Sequence, residues 1–147
     1  MRWIGSLLAL ALLSSPVYAS GTDSKPVDPA ALSALVARAN IAPPREQCFL
    51  YAEIVHQMTE LAGRQMSSGE DASATLKSIK EYSEKIHLGL ANDTKRLKNA
   101  QLLMEHTAFR LNEYLHSAAL DDRPVVEATL KTLNQVQSEL MLQVFRR

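Results

Sequence analysis

Residues 45–123 read REQCFLYAEIVHQMTELAGRQMSSGEDASATLKSIKEYSEKIHLGLANDTKRLKNAQLLMEHTAFRLNEYLHSAALDDR, 79 residues between Pro44 and Pro124 without a proline and with three glycines, Gly63, Gly69 and Gly89. Proline removes a helical donor and clashes with the preceding turn, so a stretch that avoids it this long is helical. The apolar spacing agrees. Cys48, Tyr51, Val55, Met58 and Ala62 recur at three and four, as do Leu76, Ile79, Ile86, Leu90, Leu97, Ala100, Met104, Leu111 and Tyr114, with Ser83, Asp93 and Thr107 as polar gaps. Each series is one buried stripe on a helix.

Working outward, Val126, Leu130, Leu133, Leu140 and Val144 form a further stripe after Asp121, Asp122 and Pro124. On the N-terminal side Asp28 before Pro29 is an N-cap followed by proline at the first helical position, predicting a short helix over about 29–39 that Asn40 and Pro43-Pro44 stop. Ser67 with Glu70 is spaced as a capping box. No segment alternates with period two, so no strand is expected.

The fold class is therefore all-α. The segment 70–118 reads either as one helix of about 73 Å or as two helices broken near Gly89 to Asp93. The break gives four segments of about 20 to 25 residues, the lengths of an up-down-up-down four-helix bundle. The continuous alternative gives long antiparallel helical hairpins.

Near the start of the sequence stand Arg2, an apolar run from Ile4 to Leu13 broken by Gly5 and Ser6, and Val17-Tyr18-Ala19. These are the parts of a cleavable signal peptide over 1–19, too short to span a bilayer. Residues 20–43 then form a linker holding the short helix, and 44–147 the helical domain. The implied location is exported, either periplasmic or extracellular.

The chain carries 16 basic against 16 acidic side chains. That balance argues against a nucleic-acid partner, whose phosphates demand excess cations. Cys48 is the one cysteine, so no intramolecular disulfide forms, and its apolar neighbours favour a small buried residue. Nucleophilic catalysis, haem attachment and phosphate-loop binding lack their motifs, so a catalytic role is not expected. Lys95, Arg96 and Lys98 form a small basic cluster that reads as a solvated face.

Three of the four histidines follow a glutamate by three residues: Glu53 and His56, Glu84 and His87, Glu113 and His116. In a helix this spacing puts both side chains on one face, as in carboxylate-bridged di-metal bundles. A hairpin turning at residues 68 and 69 would level Glu53 with Glu84, so Glu53, His56, Glu84 and His87 are the candidate ligands for a divalent transition metal. The helical wheel instead turns Glu53 and His56 away from the stripe of their helix, toward solvent, which leaves no cofactor as the first expectation.

Phe49, Leu102 and Phe109 also project away from the main stripes. Aligned by heptad or repeat position, they suggest a second contact surface for a protein partner or for self-association. Alternatively the short helix around Leu32, Leu35 and Val36 covers them. The resulting expectation is an exported, non-enzymatic helical interaction module of binding, scaffold or chaperone-like type, with a metal-binding or metal-sensing bundle as the alternative.

Overall fold

The computed structural model describes residues 26–90 and 94–146. The expected signal segment 1–19 and the first part of the linker lie outside the described residues. The protein is all-helical, with five helices and no strand among the described residues: α1 Pro29–Ile41, α2 Pro44–Ser67, α3 Ser73–Gly89, α4 Leu97–Ser117 and α5 Arg123–Phe145. None of them is long and apolar enough to cross a membrane.

Local chemistry sets most of the helix ends. Asp28 Oδ1 accepts from Ala30 N at 3.0 Å, and Pro29 occupies the first helical position, as the sequence implies. The end of α2 corrects the capping-box expectation. Ser67 is the last helical residue, and its hydroxyl donates back to Gly63 O. Gly69 follows with φ +76, Glu70 N donates to Gln65 O, and Gly69 N donates to Met66 O. This paired 6→1 and 5→2 pattern is a Schellman stop, and the left-handed backbone it needs favours glycine. Asp71, not Ser67, precedes α3, its Oδ1 accepting from Ser73 N at 2.9 Å.

The stretch 70–118 is two helices. Gly89 ends α3, Thr94 Oγ1 donates to Gly89 O, Lys95 N donates to Arg45 O, and Arg96 takes a left-handed φ of 58 immediately before α4. The hydrophobic stripe runs on across this break because α3 and α4 both turn their apolar sides to one core. Leu76, Ile79, Ile86, Ala100, Met104 and Leu111 are all buried in it. The polar gaps Ser83 and Thr107 are buried as well, each hydroxyl donating to the carbonyl four residues earlier.

Helix α2 packs on α1, α3 and α4, and α5 packs on α3 and α4; among the described residues α3 does not pack on α4, nor α2 on α5. The α2–α3 hairpin is antiparallel, with Gln65 bonded to Thr75 near the turn and the rings of Tyr51 and Tyr82 5.9 Å apart farther along. By contrast, α2 and α4 run parallel. Arg45 meets Lys95, His56 meets Thr107, and Glu60 meets Arg110 and Tyr114, so both numbers rise together. Having three neighbours, α2 buries far more than one stripe, including Phe49, Leu50, Ala52 and Ile54 beside Cys48 and Val55.

Candidate functional site

The face that α2 and α4 share holds a buried polar network. Near its lower end Gly63 lacks a side chain where the Tyr114 ring lies; a Cβ there would stand 2.3 Å from the nearest ring carbon. The Tyr114 hydroxyl donates to Glu60 Oε2 at 2.6 Å. Arg110 Nε donates to Glu60 Oε1 at 2.8 Å and Arg110 Nη2 to Oε2 at 3.1 Å, a bidentate pair, while Nη1 reaches Glu113 at 2.6 Å. The side chains of Glu60 and Arg110 are 10% and 15% exposed, so this pair is largely out of water.

Burial by itself would raise the Glu60 pKa, but the hydrogen bonds from Arg110 and Tyr114 outweigh it and hold the carboxyl below its ordinary value. The Tyr114 hydroxyl is pushed up to about 12, first by burial and then by the Glu60 carboxylate it bonds. This network is structural. Its buried side-chain polar atoms all have partners, Arg110 Nη2 also donating to the Tyr114 hydroxyl at 2.6 Å.

One turn further up, Thr107 Oγ1 donates to Leu103 O at 2.7 Å, so it accepts from His56 Nδ1 at 3.1 Å. That assigns the proton of neutral His56 to Nδ1. Burial lowers the pKa of His56; Glu60 opposes the shift, while His106 and Arg110 reinforce it. The His56 and His106 rings are 5.4 Å apart. Beside them a groove of about 470 Å³ runs between α2 and α4, lined by the apolar Phe49, Leu102 and Leu103 and the polar Glu53, His56, Gln57, Asn99 and His106. A second groove, about 340 Å³, lies between α4 and α5 beside Phe109 and Leu130.

The candidate residues fall as follows. Leu102 and Phe109 are exposed, 53% and 60%, seven residues apart on α4. Phe49 corrects the expectation of an exposed ring: it is 8% exposed, with the Arg96 guanidinium 3.6 Å from its centroid. The wheel missed this because it placed Phe49 relative to one stripe, whereas α2 has neighbours on several sides. The short helix α1 packs on α2 and leaves Leu102 and Phe109 uncovered.

Glu53 and His56, expected to face solvent, are half-buried beside α4. His87 bonds Glu139 on α5, and Glu84 is exposed on α3, so the four candidate ligands do not converge. The third pair splits too, Glu113 joining Arg110 and His116 Nδ1 bonding Asn112 O. Among the described residues no group of three or more His, Cys, Asp and Glu side chains is arranged to hold a metal ion.

Cys48 is fully buried, and burial raises its pKa to about 12, so the thiolate is not formed at neutral pH. Cys48→Ser should keep the helical circular-dichroism spectrum and cost about 1 kcal/mol in urea denaturation; loss of helicity would show a larger role. The Glu60, Arg110 and Tyr114 network had one sequence signal, Gly63 in the interior of a helix. Glycine there costs about 1 kcal/mol against alanine, and it marks a close approach. Set against known protein families, characterised proteins and solved structures, the chain matches none.

Proposed function

We propose that this protein is an exported, non-catalytic interaction module in which α2 to α5 form a four-helix bundle of two stacked hairpins and the outer side of α4 receives a protein partner or a second copy. The observation that carries the reading is the exposure of Leu102 and Phe109 on one side of α4, between two grooves. Large apolar side chains aligned in this way are contact anchors when a partner buries them. Phe49 contributes as part of the wall of the α2–α4 groove. Two features support the absence of catalysis. The thiol is buried in its neutral form, and the buried hydroxyls of Thr59, Ser83, Thr107 and Thr129 donate to their own helices. Export rests on the signal-like segment 1–19.

Leu102→Ala with Phe109→Ala should leave the melting temperature nearly unchanged, because exposed positions contribute little to folding. Self-association, measured by sedimentation, or capture of a protein partner should weaken at least tenfold. Unchanged association and capture in the double variant would overturn the reading. The alternative, a metal-binding bundle, loses the convergence of Glu53 and His56 with Glu84 and His87 and draws support instead from the neighbouring rings of His56 and His106. It ranks second because two imidazoles supply half of a tetrahedral ligand set.

A further inference from the structure

A third cleft, about 260 Å³, lies where the end of α1, the start of α2 and the start of α4 meet. We infer that it binds a small amphiphilic anion, a single carboxylate or phosphate head on a short apolar chain. Its charged lining is Arg38, Lys95 and Arg96 against one carboxylate, Glu46. In a chain with equal numbers of acidic and basic side chains, this is a local concentration of positive charge. Lys95 and Glu46 are 3.9 Å apart and about half exposed, a loose pair. Among the described residues no carboxylate is paired with Arg38 or Arg96.

Arg96 is held for such a role. Its guanidinium carbon lies over the Phe49 ring, 3.6 Å from the centroid, a contact that holds the side chain in place, and a guanidinium takes carboxylate and phosphate through its N–H edge in a bidentate manner. Its left-handed φ of 58 is a conformation that glycine or asparagine would adopt at lower cost. The remaining lining is apolar: Ile41, which is 85% exposed, with Ala42 and Pro43 and the largely buried Phe49 and Leu50. An inorganic anion would leave that wall wet, and a neutral hydrocarbon would leave the arginines unanswered. The volume falls just below the range of about 300–1,000 Å³ of drug-sized pockets, which suits a short chain rather than a long lipid tail.

The test is a titration of the purified protein with octanoate, followed by amide chemical shifts. Saturable one-to-one binding is expected, with shifts confined to residues 38–50 and 94–97. Octanol, acetate and inorganic phosphate should each bind at least tenfold more weakly, and octyl phosphate set beside octanoate identifies the preferred head. Arg38→Gln and Arg96→Gln should each weaken octanoate at least tenfold. Arg96→Gly, which relieves the left-handed strain while deleting the guanidinium, should keep the fold and lose binding. Arg64→Gln, an exposed basic position on the far turn of α2, should change nothing. Octanol binding as tightly as octanoate, arginine variants that bind normally, or shifts spread elsewhere would each overturn the site. So would binding to anionic vesicles with no response to monomeric octanoate, which would replace the cleft by a membrane surface.

Discussion

Replacing Arg110 with leucine is expected to lower the unfolding free energy at pH 7 by about 3 kcal/mol, because it leaves the buried carboxylate of Glu60 with Tyr114 as its remaining donor. The pH dependence distinguishes this cause from lost packing. In the native protein the folded-state pKa of Glu60 lies below its ordinary value. The stability it contributes is therefore present above the unfolded carboxylate pKa of about 4.3 and is lost as pH falls through the lower, folded value. Without Arg110, burial prevails and pushes the pKa up instead, so the folded state takes up a proton before the unfolded state does. The cost of Arg110→Leu is then full at pH 7 and shrinks as pH falls toward 4. Urea denaturation at pH 7, 5 and 4 reads this directly. Adding Glu60→Gln to Arg110→Leu should recover part of the loss at pH 7 by removing the stranded charge. A cost that stays the same from pH 7 to pH 4 would mean that Arg110 acts through its hydrocarbon stem alone.

Gly63→Ala is expected to destabilise the protein by about 2 kcal/mol, although the same exchange in an open helix interior stabilises by about 1 kcal/mol. Three ring carbons of Tyr114 lie 2.3 to 2.5 Å from where the new Cβ would stand, so the ring must move. Moving it breaks the hydroxyl bond to Glu60 at 2.6 Å and lets water toward the Arg110 pair. The melting temperature should fall by several degrees. Tyr114→Ala clears the ring, so the double variant Gly63→Ala with Tyr114→Ala should cost less than the sum of the two single changes. A Gly63→Ala protein as stable as the parent would show that α2 and α4 separate easily, and the close approach would carry no energetic weight.

The helical segments were legible before any tertiary contact was known, because the signals that make them are local. Proline at 29, 44 and 124, the Asp28 cap, the glycines at 69 and 89 and the three-and-four spacing of apolar residues act within a few turns of chain. The stripes of Leu76, Ile79 and Ile86, of Ala100, Met104 and Leu111, and of Val126, Leu133 and Leu140 are the residues found buried. That Leu102 and Phe109 project away from the main stripe also followed from the wheel, while their exposure depended on where α1 packs. Whether residues 70–118 formed one helix or two did not follow, since two helices facing one core carry the same stripe as one helix.

What the tertiary structure alone decided is which helices are neighbours, and the polar chemistry depends on that. Glu60 reads as a solvated side chain on its own helix, and its partners Arg110 and Tyr114 stand 50 and 54 residues away, on a helix that could have packed elsewhere. His56 turned out to bond Thr107 rather than to meet His87, which went to Glu139 on α5. Phe49 disappeared beneath Arg96 because α2 is flanked by α1, α3 and α4 at once. A helical wheel ranks positions by angle about one axis and carries no term for a second or third neighbour. Periodicity therefore determined the helices and their first buried faces, while the parallel pairing of α2 with α4 determined which of the remaining side chains were desolvated and with whom they paired.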